Sequence, residues 1–163
     1  MAVPSGALRF NADSRKLEYY NGEAWWQIDS FAPDAATGGA RGVWGGGFNG
    51  TSILNTIDYV TISTTGNATS FGTLSAIREY VGGVASNTRG VYGGGDQPSG
   101  TYLSTLEYIT ISSTGNATSF GSLTQARHFA NGLSNQTRGV YIGGEQPAAQ
   151  STIDYIRSEE QHV

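Results

Sequence analysis

RGVWGGG (residues 41–47) returns as RGVYGGG (residues 89–95) and again as RGVYIGG (residues 138–144), at spacings of 48 and 49 residues. A second element keeps step with it: TIDYVTIS (56–63), TLEYITIS (105–112) and TIDYI (152–156), 49 and 47 residues apart. TGNATSFG occurs twice without a change, at 65–72 and 114–121. EYVGGVASN (79–87) and HFANGLSN (128–135) each lead back into the RGVY element. A fixed period of this length marks a repeat architecture.

Within each unit the β-branched and aromatic runs are short and bounded by Gly, Asn and Ser, the pattern of about four strands. Ile57 and Tyr59 fall on one face of TIDYVTIS and Val60 and Ile62 on the other, so this strand expects packing on both sides. The fold expected is all-β. From Arg41 onward the elements are three RGVY, three TIDY, two SFG and two GLSN strands, ten in all or two and a half units. Propellers close with about four to eight blades, and open edges invite pairing. Homo-oligomerisation is therefore expected, as a dimeric six-bladed ring or a trimeric prism, with the trimer favoured.

Composition agrees. Glycine makes up 24 of the 163 residues, while charged residues are only 13%, about half the usual share. Strands and turns are favoured over helices. Without Cys there is no disulfide, thiolate metal site or cysteine nucleophile. A net charge of −4 argues against a basic nucleic-acid-binding face. No run approaches the ~20 apolar residues of a membrane span, and MAVPSGALRF does not read as a signal peptide. A soluble chain is expected, with no membrane insertion.

The repeats over residues 38–157 resemble kelch repeats. The family's Arg before the first strand corresponds to Arg78 and Arg127, and its Gly-Gly pair to residues 46–47, Gly94-Gly95 and Gly143-Gly144. Its Tyr corresponds to Tyr59, Tyr108 and Tyr155. Phe71 and Phe120 stand where the family usually carries Trp. The resemblance implies a partial β-propeller of four-stranded blades. Glycine doublets suit positive φ and close backbone approach. A phosphate-cradling loop would need a following helix and Lys, and neither follows.

Residues 6–28, GALRFNADSRKLEYYNGEAWWQI, differ in character. Asn21-Gly22 is a two-residue hairpin signal, and Asn11 to Ser14 mark an earlier turn. A meander results, with Leu8, Phe10, Leu17, Tyr19, Trp26 and Ile28 on an apolar face. The segment resembles one found in tail fibres and other virion proteins of tailed bacteriophages, through Gly6, Arg9-Phe10-Asn11, residues 16–22 and Trp25. That resemblance implies a structural, often trimeric, virion protein. The domains expected are a meander at 1–30 for attachment or oligomerisation, a linker at 31–40, and a repeat body at 41–163. Phe10, Tyr19, Trp25 and Trp26 are the candidate assembly surface.

No catalytic constellation is read from the sequence. His162 lies in the polar tail, and His128, at a strand start, is expected to be exposed. Asp58, Glu107 and Asp154 recur at one repeat position, which points to structure. Asp58 and Glu107 are expected to pair with Arg78 or Arg127 between blades. No metal or cofactor is expected. The N-x-Ser/Thr sites at Asn49, Asn67, Asn116 and Asn135 are ascribed to repeat copying. Trp44, Asp96, Gln97 and Tyr102 form a candidate ligand surface, with exposed aromatics and polar groups suited to sugar. The function expected is that of a virion structural protein, located in the virion, with other virion proteins and a host-surface glycan as partners. A carbohydrate- or receptor-binding module is the alternative, and a glycan-active enzyme a more distant one.

Overall fold

The computed structural model describes residues 3–13, 16–28 and 41–157. The chain divides into two compact units, Met1–Ala35 and Ala36–Val163. Among the described residues the secondary structure is all β, in small antiparallel sheets of which none closes on itself. The expected linker at 31–40 and the tail at 158–163 lie outside the described residues.

The N-terminal unit is a meander of β1 (Leu8–Asn11), β2 (Lys16–Tyr20) and β3 (Trp25–Ile28). Its register aligns Leu8, Tyr19 and Trp26 in one cross-strand row, and Phe10, Leu17 and Ile28 in the next. All six are exposed. Period-two alternation puts Trp25 on the other face. This corrects the expected grouping of Trp25 with Phe10, Tyr19 and Trp26. Trp25 lies 5.4 Å from the Tyr20 ring and 4.1 Å beneath the Arg9 guanidinium. On that face Glu18 accepts hydrogen bonds from Asn11 Nδ2 at 2.9 Å and Arg9 Nε at 2.8 Å, which together hold its carboxyl below the usual range. The connection at Asn21-Gly22 has four residues, not two. Asn21 N–H donates to the Ala24 carbonyl at 3.1 Å, and Asn21 Oδ1 accepts from the Glu23 and Ala24 amides.

The described repeat body holds three larger sheets and one two-stranded hairpin. The first comprises β4 (Arg41–Phe48), β5 (Ile53–Thr61) and β6 (Thr69–Thr73), in that order. The chain continues through β7 (Gly82–Ala85), β8 (Arg89–Gly93), a hairpin of β9 (Asp96–Gln97) and β10 (Thr101–Tyr102), then β11 (Thr105–Thr110) and β12 (Thr118–Ser122). The second sheet runs β12-β11-β8-β7. The third comprises β13 (Asn131–Ser134), β14 (Arg138–Ile142) and β15 (Ile153–Arg157). All ten strands named from the repeats are present, and the small hairpin is additional.

The sheets stack face to face, because alternation along each strand supplies apolar residues to both sides. Ile57, Phe71 and Leu74 of the first repeat pack with Tyr92 and Ile109 of the second. Val84, Val91, Leu106, Phe120 and Leu123 of the second repeat pack with Tyr141 and Ile156 of the third. Each RGVY tyrosine drops onto a glycine of the preceding sheet. A Cβ on Gly45 would stand 3.1 Å from the Tyr92 ring, and one on Gly93 would stand 2.9 Å from the Tyr141 ring. Tyr141 Oη also donates to the Val91 carbonyl at 2.8 Å in a fully buried site, and burial pushes its phenol pKa far up. Tyr141→Phe keeps the ring and removes this hydrogen bond. Chemical unfolding should register a loss of about 1 kcal/mol.

Candidate functional site

Among the described residues, the buried carboxylates and guanidinium groups of the repeat body lie at the boundaries between sheets. Arg78 ends the first repeat, yet its Nη2 donates to Glu107 Oε2 of the second at 2.9 Å, and its Nη1 to the Gly94 carbonyl at 3.2 Å. Glu107 Oε1 accepts the Ser75 N–H at 3.2 Å. Arg127 repeats the device: its Nη2 donates to Asp154 Oδ2 at 2.5 Å, and Asp154 Oδ1 accepts the Thr124 N–H at 3.0 Å. Both pairs are buried. Burial lowers the Arg78 pKa while Glu107 opposes the change. Burial alone would raise the Asp154 carboxyl; the Thr124 amide and the Arg127 guanidinium outweigh it and hold the pKa below the ordinary value.

The glycine doublets complete the tie. Gly46 and Gly47 have φ of 74° and 110°, and Gly94 and Gly95 have 69° and 109°. This left-handed region favours glycine. The turn aims Gly47 N–H at the Arg78 carbonyl at 2.8 Å, and Gly95 N–H at the Arg127 carbonyl at 3.0 Å. A Cβ on Gly46 or Gly94 would strike the same carbonyl oxygens. Arg78 is thus gripped by the doublets of two consecutive repeats. Gly143 and Gly144 take the same conformation in the third repeat.

Asp58 does not share in this, which corrects the expectation that it pairs with Arg78 or Arg127. Ile57 and Tyr59 face the second sheet, so alternation turns Asp58 away from the boundary where Arg78 lies. Asp154 takes the place expected of Asp58.

TGNATSFG is a fastening between repeats. Its second copy hydrogen-bonds to the outer strand of the first: Gly115 N–H to the Phe71 carbonyl at 2.8 Å, and Ala117 N–H to the Thr73 carbonyl at 2.9 Å. Asn116 Oδ1 accepts from both the amide and the hydroxyl of Thr73 at 3.1 Å. Two further N-x-Ser/Thr asparagines shape turns: Asn49 accepts the Thr51 and Ser52 amides, and Asn135 the Thr137 and Arg138 amides.

One end of the second sheet carries a group of rings. Tyr102 stacks on His128 at 4.7 Å with an interplanar angle of 5°. Phe129 lies 4.4 Å from His128 and 4.2 Å from Tyr80. His128 is buried, which corrects the expectation of exposure: the β9–β10 hairpin brings Tyr102 over it. Tyr80 and Phe129 hold φ of 54° and 56°, a costly conformation for bulky side chains, and both are exposed. Asp96 pairs with Tyr102 across the hairpin. Asp96 Oδ1 and His128 Nδ1 are buried without a hydrogen-bond partner among the described residues. Asp96, Gln97 and Tyr102 thus come together, but Trp44 does not join them. It lies on the face of the first sheet turned away from the second. Sequence reasoning missed Tyr80, His128 and Phe129 as a group. The available signal was the matched REY and RHF triplets at residues 78–80 and 127–129.

Among the described residues no cluster of His, Asp and Glu has the arrangement of a metal site. No family model matches the chain, and none of the curated proteins is significantly similar to it.

Proposed function

We propose that the three sheets are kelch-like blades of an open propeller wedge, and that the protein is a structural component of a tailed-bacteriophage virion. It would serve in a tail fibre, baseplate or decoration layer, as a homo-oligomer in contact with other virion proteins. One observation carries this reading. Arg78, Glu107, Arg127 and Asp154 are all spent on tying one repeat to the next. That use of buried charge suits a body whose task is to hold a shape. The exposed apolar face of the N-terminal meander, with Phe10, Tyr19 and Trp26, suits attachment. The resemblance of that segment to virion proteins points the same way. Immunogold labelling of gradient-purified particles, with antibody to this chain, tests the proposal. Labelled tails or capsids are expected, whereas unlabelled particles with the chain left in the soluble fraction would overturn it.

A second reading, binding of a host-surface glycan, is favoured by the ring group. Tyr80 and Phe129 offer exposed faces for the C–H edges of a sugar, beside Asp96 and Tyr102. On a glycan array the intact chain should give signals that Tyr80→Ala/Phe129→Ala loses. Signals equal in both would remove this site from consideration.

A further inference from the structure

We infer that the outer face of the third sheet is built to receive the open face of the first sheet of a second copy, so that chains join head to tail. The inference rests on the proposed oligomeric reading and assigns its interface. Its ground is the repeat itself. Trp44 occupies the position of Tyr92 and Tyr141, which are 7% and 0% exposed because each enters the preceding sheet; Trp44 is 58% exposed. Ile62 likewise stands exposed where its counterpart Ile111 is buried. At the other end, Leu133 is the counterpart of Val84, yet it is 64% exposed against 8%. Ile153 and Tyr155 are exposed where their counterparts Leu106 and Tyr108 join the core between the second and third sheets. The first sheet therefore presents the kind of face that the second and third bury, and the third presents the kind that receives it.

A polar group adds direction. Arg41 lies 4.7 Å over Tyr59 and donates Nη1 to the Ile111 carbonyl of the next sheet at 2.7 Å. Its third-repeat counterpart, Arg138, is exposed, and its side chain has no partner among the described residues. In a head-to-tail joint the matching acceptor is the Ile62 carbonyl of the second copy. Such a contact is heterologous, and heterologous contacts form rings or filaments. Two copies bring six sheets, within the range at which propellers close.

The joint is not a copy of the internal boundaries. Ile142 fills the place of Gly45 and Gly93, and the larger Trp44 replaces the tyrosine. No tyrosine can sink there, and Asp58 has no arginine from an earlier described repeat. The joint is thus apolar contact plus the Arg138 hydrogen bond, and it should tolerate high salt.

Light scattering on the purified full chain from 1 to 100 μM (about this range spans typical weak-to-stable homodimers) tests the assignment. The wild type should run as a dimer, in low and high salt alike. Trp44→Glu alone and Leu133→Glu alone should each run as monomers with unchanged circular dichroism. Their equimolar mixture should recover dimer, because one joint then pairs an intact Trp44 face with an intact Leu133 face. Tyr155→Glu should behave as Leu133→Glu does, which guards against a fault peculiar to one substitution. If both single variants remain assembled, the joint lies elsewhere, and the oligomeric reading survives while this assignment falls. If only one face matters, or the mixture fails to recover dimer, the head-to-tail geometry is wrong. A wild-type monomer at the highest concentration would remove both.

Discussion

Arg127→Met is expected to destabilise the repeat body by about 3–5 kcal/mol at neutral pH, the usual result of breaking a buried ion pair from one side. For a unit of this size that corresponds to a fall in Tm of roughly 10–15 °C. The reason is the Asp154 carboxylate, buried and left with the Thr124 amide but without its cation. The double variant Arg127→Met/Asp154→Leu should regain much of the loss, since removing both charges also removes the desolvation cost. The pH dependence should weaken as well. In the wild type the Asp154 pKa is lowered. Its stabilisation is present above the unfolded value, about 3.9, and is lost as pH falls through the folded one. In Arg127→Met the guanidinium no longer lowers the pKa, and only the Thr124 hydrogen bonds oppose the effect of burial. The stability lost on acidification should therefore be smaller than in the wild type. Urea unfolding of the three proteins at neutral and acidic pH separates these outcomes. An Arg127→Met protein as stable as wild type at pH 7 would show that the pair fastens nothing.

Gly72→Ala should cost about 2–3 kcal/mol, at the upper end for overpacking, while Gly115→Ala should stay within about 0.5 kcal/mol of wild type. The two glycines face each other in the TGNATSFG fastening, yet they differ in kind. A Cβ on Gly72 would collide with the Gly115 backbone carbonyl and crowd the Asn116 amide, whereas one on Gly115 meets nothing. Backbone cannot rotate aside as a side chain does, so the Gly72 variant must part the two repeats at their outer edge. Thermal unfolding reads the difference. Equal losses at both sites would show that the close approach does not set the cost.

The strands were legible in the sequence because each is a short β-branched or aromatic run between turn residues, repeated with one spacing. The buried arginines were legible as structural for the same reason. Their partners were not. Asp58, Glu107 and Asp154 share one repeat position, and identity of position does not reveal whether a bond stays within a repeat or crosses to the next. Alternation along β5 decides it, once Ile57 and Tyr59 are known to face the second sheet. Trp25 and Trp26 posed the same difficulty, as adjacent tryptophans on opposite faces. The burial of His128 was hidden more deeply, since it depends on a two-residue-per-strand hairpin whose Asp-Gln-Pro-Ser-Gly sequence reads as plain loop. The clasping role of TGNATSFG was hidden because the residues it grips, Phe71 and Thr73, lie in and just beyond the other copy of itself.

The forward reach of each tie bears on how the body would yield to force. The middle sheet is held at both faces, through Arg78 on one side and Arg127 on the other, while the first and third are held at one face each. A tether drawn from Arg41 and Arg157 would load the outer sheets first. Their strands should peel away residue by residue, in small rupture steps. The second sheet should fail last and abruptly, as the remaining plate of a sandwich already opened from both ends.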